Sequence, residues 1–154
     1  MNIKFFWFAF SDLSPRDLYE ILWLRQQVFV IEQACLYPDI DQNDPVAAHL
    51  IARDNSGAMI GCLRLLPPGI TNDRPAIGRL AVAKPFRGRE MGSRLMTEGI
   101  KNSRKLFADR SIFISAQHHL IPLYRKLGFT PRGKAYDEDG ILHIDMILPA
   151  PETG

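Results

Sequence analysis

The stretch from Ile77 to Met96 constrains this chain most. An apolar run, Ile77-Gly78-Arg79-Leu80-Ala81-Val82-Ala83, enters a basic glycine-bearing turn, Lys84-Pro85-Phe86-Arg87-Gly88-Arg89, and the turn opens a helical run from Glu90. A strand that feeds directly into a helix commits the chain to stacked α and β layers. The first turn of a helix carries unpaired N–H groups and a partial positive charge of roughly half a unit. Glycine lets an anion approach that backbone, and Arg87 and Arg89 add charge, so the turn reads as an anion site. It has neither the lysine-serine pair of a P-loop nor a full G-x-G-x-x-G. On local physics alone, a capped surface helix with solvated arginines is an equal alternative.

The rest of the chain supplies the other layers. An apolar-aromatic segment, 3–10, reads as a buried strand; it is too short to span a bilayer and a poor signal peptide. Ser14-Pro15-Arg16-Asp17 marks a helix start, with an N-cap serine and proline at the first helical position. Leu18, Leu22, Arg25, Phe29 and Glu32 then fall at helical spacing, so two charges sit on an apolar stripe. The polar segment 37–45 reads as a solvated loop. Its Asp39, Asp41 and Asp44 lack the glycine and closing glutamate of a calcium loop.

Strands are expected over 47–53, 58–66, 76–83, 111–116, 130–136 and 141–148, and helices over 90–107 and 119–127. This alternation predicts an α/β (α+β mixed) fold, a mixed sheet with helices on both faces. The 154 residues suit a single domain over 1–149 with a short tail, 150–154.

Net charge is +2 with acids and bases interspersed, which gives no footprint for nucleic acid. Two cysteines, Cys35 and Cys62, are too few for a disulfide framework or a four-ligand zinc site. A cytoplasmic protein with no metal and no membrane partner is the expectation.

Two motifs together carry a resemblance. Arg87-x-x-Glu90-x-Gly92 resembles the R-x-x-G-x-G/A motif of the GNAT superfamily of acyl-CoA-dependent N-acetyltransferases, and Leu80-Ala81-Val82 resembles the strand before it. Leu123-Tyr124-Arg125-Lys126-Leu127-Gly128-Phe129 resembles the later F/L-Y-x-x-x-G-F segment, and the order of elements agrees over nearly the whole chain. Glu90 stands where that family usually has glycine. The ElaA-like branch tolerates this, and the chain is similar to that branch over 24–33, 37–41 and 139–146.

The resemblance implies a GNAT-like, strongly twisted, mostly antiparallel sheet with a central parallel pair splayed by a bulge in the 76–83 strand. It implies acetyl-CoA as co-substrate. Leu80, Ala81 and Val82 would hold the pantetheine arm. The backbone of Arg87, Gly88, Arg89, Glu90, Met91, Gly92 and Ser93 would hold the pyrophosphate, and Gln117 and Tyr124 would complete the set.

Acyl transfer to an amine needs a neutral amine, a stabilised oxyanion and a protonated leaving thiolate. By resemblance Tyr124 is the general acid; packing on the stripe Leu120, Leu123, Tyr124, Leu127 is its structural alternative. His143 alternates with Asp145 on one strand face and is a candidate base, a hydrogen-bonded sheet residue being the alternative. Glu32 is a further candidate base, while Arg25 reads as structural. His118 and His119 point in different directions and make a poor metal pair.

The expectation is an N-acetyltransferase acting on a small-molecule or protein amine, with a homodimer as its candidate assembly. The alternatives are a non-catalytic acyl-CoA-binding module and an acyl-homoserine-lactone synthase-like acyltransferase.

Overall fold

In the computed structural model, which describes residues 2–152, all seven strands join one sheet in the order β1-β2-β3-β4-β5-β7-β6. The strands are β1 (Lys4–Ala9), β2 (Ala48–Arg53), β3 (Met59–Leu66), β4 (Ala76–Val82), β5 (Ile112–Gln117), β6 (Thr130–Glu138) and β7 (Ile141–Leu148). Helices are α1 (Pro15–Arg25), α2 (Met91–Leu106) and α3 (Ile121–Lys126). Every neighbouring pair is antiparallel except β4–β5.

The helices cover both faces, as the alternation predicts. On one face α2 buries Met91, Leu95, Met96 and Ile100, an i, i+4 stripe, against Leu63, Ile77 and Ile112. At Gly99 an added Cβ would lie 3.1 Å from Ile77, so the missing side chain sets how closely α2 approaches the sheet. The other face packs Ile21 and Leu24 of α1 on Ile51, Cys62 and Ala81. The half of this face formed by β5, β7 and β6 has no helix above it; Ser115 and Arg132 are exposed there.

Three local expectations need correction. The first strand is a sheet edge rather than a buried strand, and Phe6 is 40% exposed. The first helix widens after Arg25 into a π-helical segment, Gln26–Glu32. That wider winding shifts later side chains off the α-helical stripe, and Glu32 emerges exposed. The segment 37–45 is not a solvated loop: Asp39 and Asp44 are buried. Residues 149–152 are exposed and outside regular elements, and the expected tail's Thr153 and Gly154 lie outside the described residues.

The expected bulge and splay are both present. Cys62 pairs with Ala81 but Arg64 pairs with Gly78, so β4 carries one residue more than β3 across Arg79–Leu80. Arg79 adopts a left-handed φ of 53° there. Beyond the bulge β4 follows β3, while β5 turns to β7. The two central strands therefore touch in register only at Ala76–Phe113 and part into a slot.

Candidate active site

The slot has a free backbone edge. Ala83 N–H bonds Ile60 O of β3 at 2.8 Å. By strand alternation the N–H and C=O of Val82 then point away from β3; the C=O accepts from Arg87 Nε, and the N–H is left to the slot. A pantetheine arm carries amides that suit such an edge.

At the far end of β4 the chain makes a short helical turn, Lys84–Phe86, and enters α2 through Arg87, Gly88, Arg89 and Glu90. Gly88 has φ +78° with open space around a built Cβ. Glu90 is the N-cap with a left-handed φ of 58°, the conformation that explains why glycine is the ordinary residue here. Its side chain makes no cap bond. The first helical bond is Arg94 N–H to Glu90 O at 3.0 Å, so the amides of Met91, Gly92 and Ser93 have no partner within the helix. At Gly92 a Cβ would sit 3.8 Å from Leu123 and 3.9 Å from Leu80, linking this turn to α3 and the slot. Free amides, a backbone open to close approach and a helix dipole suit a pyrophosphate.

Arg87 is used differently from its neighbours. Its Nε donates to Val82 O at 3.0 Å, and its two Nη atoms meet Glu32 at 2.8 and 3.1 Å. The guanidinium ties the turn to β4 and to the end of the π-helical segment. Arg89 is exposed.

A cavity of about 470 Å³ runs from the slot across the uncovered half of the sheet. It brings together Leu80, Gln117, Tyr124 and His143 of the expected site. Glu32 and residues 87–93 lie outside its lining. His118 and His119 are exposed on the turn before α3.

Tyr124 is 7% exposed, with its ring edge-on to Phe129 at 6.0 Å. Burial pushes its phenol up to about 12. It is both packed and cavity-lining, so the packing and acid readings share one geometry.

His143 faces its neighbours through both ring nitrogens. Nδ1 lies 2.8 Å from Ile141 O, and a carbonyl only accepts, so Nδ1 carries the proton. Nε2 lies 3.5 Å from Glu138 Oε2. The ring stacks on Tyr136 at 6.1 Å. The Tyr136 hydroxyl donates to Asp145 at 2.7 Å and meets Ser115 Oγ at 2.5 Å. Burial raises the Tyr136 phenol to about 12; the Ser115 bond opposes that rise and the Asp145 bond adds to it. Sequence reasoning missed Tyr136, Ser115 and Glu138, although Tyr136 and Glu138 alternate on a strand toward a hairpin partner.

The opposite wall is ionic. Arg25, 1% exposed, bonds Asp39 Oδ2 at 2.9 Å and Asp44 Oδ1 at 2.8 Å. Arg64 reaches Asp41 and Asp44, and Arg79 Nε lies 2.9 Å from Asp39 Oδ1. Three arginines neutralise three aspartates, which is the structural role expected for Arg25. Burial pushes the Asp41 carboxyl up, but Arg64, then the Asn43 amide and Arg79, more than reverse this and hold it well below the usual range. Among the described residues no group of three or more acids, histidines or cysteines is arranged to hold a metal. No helix among them is long and apolar enough to cross a membrane.

Comparison with known proteins agrees with this arrangement. A family model described as an acetyltransferase (GNAT) domain matches residues 12–149. A UPF0039 protein of Synechocystis is 38% identical over 154 residues, covering 100% of both chains. Escherichia coli ElaA is 36% identical over 138 residues, 88% of this chain and 90% of ElaA. The crystal structure of ElaA superposes with a TM-score of 0.88 over 95% of this chain and 99% of that one, at 33% identity. An acyl-CoA N-acyltransferase from Pseudomonas aeruginosa gives the same TM-score and coverages at 34% identity.

Proposed function

The chain belongs to the GNAT acetyltransferase family, and on that premise we propose that it transfers an acetyl group from acetyl-CoA to a primary amine by direct attack. One observation carries this reading. The split between β4 and β5 opens beside the uncapped start of α2 and runs into a cavity that holds Tyr124 and His143.

In this reading the free amides of Met91, Gly92 and Ser93, with the backbone of Arg87, Gly88, Arg89 and Glu90, bind the pyrophosphate. The edges of Leu80, Ala81 and Val82 align the pantetheine arm, and Gln117 faces it from β5. His143 Nε2, whose partner nitrogen is fixed by Ile141 O, accepts the proton lost by the amine. Glu138 stands where it favours the resulting imidazolium. The amine nitrogen bonds to the thioester carbon and the C–S bond breaks. Tyr124 gives the departing thiolate its proton, a step suited to a phenol that burial keeps protonated. Glu32, paired with Arg87 outside the cavity, is not assigned a proton-transfer role.

Thiol release in the presence of an amine panel tests the reading. In Tyr124→Phe, kcat is expected to fall by about 10²-fold or more while acetyl-CoA affinity is kept. A wild-type protein that binds acetyl-CoA and acetylates no amine would instead be a binding module.

A further inference from the structure

The acceptor end of the cavity has two walls that meet overhead. One wall is the chain after α1, with Gln33, Tyr37 and Asp41; the other is the β6–β7 hairpin, with Tyr136, Glu138 and His143. Cys35 belongs to the first wall and Asp139 to the second, and both line the cavity. The Cys35 thiol donates to Asp139 O at 3.1 Å, joining positions 104 residues apart. This bond is a bridge across the cleft rather than a contact within one wall. Cys35 is 7% exposed, while Asp139 at the other end of the bridge is exposed.

From this geometry we infer that the acceptor is a small-molecule cationic amine and not a lysine of a peptide or folded protein. The inference rests on the transfer reading above and narrows it. A polypeptide needs an open trough or a free strand edge to lie along. The bridge spans the trough, and the sheet's two outer edges are those of β1 and of the side of β6 turned away from β7. The cleft's volume of about 470 Å³ must also admit the acyl end of the donor, which favours a compact acceptor. The lining favours a cation. The arginines facing the cavity, Arg64 and Arg79, are engaged by Asp39, Asp41 and Asp44, whereas Glu138, 53% exposed on its side chain, pairs with His143 and with no lysine or arginine among the described residues.

Two measurements test this. Wild-type kcat/KM is compared between small primary amines and lysine-containing peptides and folded proteins, all with acetyl-CoA. The best small amine is expected to exceed any peptide or protein by about a hundredfold; a peptide or protein lysine that matches it overturns the inference. If acetyl-CoA binds but no amine of either class is acetylated, the transfer reading fails and the inference falls with it. In Cys35→Ala, which loses the bridging donor, KM for the small amine is expected to rise between about twofold and tenfold with acetyl-CoA affinity unchanged. Cys35→Ser, which keeps a donor, restores it. An unchanged amine KM in Cys35→Ala overturns the role of the bridge.

Discussion

Arg87 and Glu32 form a two-point ion pair, Nη1 to Oε2 at 2.8 Å and Nη2 to Oε1 at 3.1 Å, although 55 residues separate them. The pair joins the start of the anion-binding turn to the end of the π-helical segment. Because Arg87 Nε also donates to Val82 O, one guanidinium fixes three pieces of backbone around the slot. Both side chains are more than a third or close to a third exposed, at 40% and 33%.

Glu32→Gln is expected to cost about 0.2–1 kcal/mol in stability, because a pair this exposed is screened by water and salt. With acetyl-CoA saturating, kcat is expected to stay within about twofold of wild type, since a lost general base would reduce it by about 10²–10⁴. Steady-state kinetics with one small amine separates the two outcomes. A hundredfold loss of kcat would return Glu32 to the catalytic machinery.

Much of this arrangement was legible in the chain. The order of elements and the N-cap Ser14, which accepts from the Asp17 amide at 3.0 Å, follow from local pattern, and the splay and bulge of β4 follow from the family resemblance. Three things were not. The π-helical widening leaves no mark in spacing, so the stripe through Leu18, Leu22 and Arg25 was extended to Glu32 in error. The acids of 37–45 look like any polar loop until their partners are counted. The signal that would have found them was available: Arg64 and Arg79 interrupt apolar strands, and a buried guanidinium requires carboxylates. The contacts of Tyr136 depend on the register of β6 against β7, which is shifted by an irregularity between Arg132 and Tyr136.

Glu90 holds a left-handed backbone at φ 58° and places a carboxylate beside the free amides of α2. A non-glycine residue in that conformation costs about 1–2 kcal/mol, which Glu90→Gly would relieve while adding a comparable entropic cost of order 0.5–1 kcal/mol in the unfolded chain. The midpoint of thermal unfolding is therefore expected to change little. Coenzyme A affinity is expected to rise about two- to fivefold, the equivalent of removing one negative charge that repels the pyrophosphate. Titration calorimetry checks it, and weaker binding would mean that the carboxylate holds the turn in shape.

The ionic wall predicts a steep acid limb in stability. Burial pushes Asp44 up, yet its bonds to Arg25 and Arg64 outweigh this and lower its carboxyl, as Arg64, Asn43 and Arg79 do for Asp41. A folded-state value below the unfolded one means the stabilisation is complete above the unfolded carboxylate range near ~4 and is lost as pH falls through the folded values. Asp44→Asn is expected to cost roughly 3–5 kcal/mol near neutral pH by leaving buried guanidinium groups short of charge. Its stability is also expected to fall less steeply below pH ~4 than that of wild type. Urea unfolding at several pH values measures both, and parallel acid limbs would show that Asp44 is not the titrating group.

The phenol of Tyr124 gives a separate prediction for rate. Burial raises it to about 12, so the acid keeps its proton throughout the range in which the substrate amine loses its own. The pH profile of kcat/KM is expected to rise with pH and to show no descending limb below pH ~10. A fall centred near pH ~8 would assign the thiolate's proton to another group.

Gly61 tests the packing that holds the slot open. It pairs with Val82, and a Cβ built on it would sit 2.7 Å from both Ala81 O and Leu95 Cδ1. The leucine methyl can rotate aside, but the carbonyl belongs to the paired β4 backbone and cannot move without shifting the Val82 edge. Gly61→Ala is therefore expected to cost about 1–3 kcal/mol in stability, as overpacking of a close contact does, and to weaken acetyl-CoA binding as well. Gly92→Ala is the contrast: its Cβ would meet Leu123 and Leu80 at 3.8 and 3.9 Å, ordinary contact distances, so stability is expected to be retained. Unfolding curves and coenzyme A titrations of the two variants side by side decide it. If Gly61→Ala binds and unfolds like wild type, the β3–β4 spacing at Val82 does not control the slot.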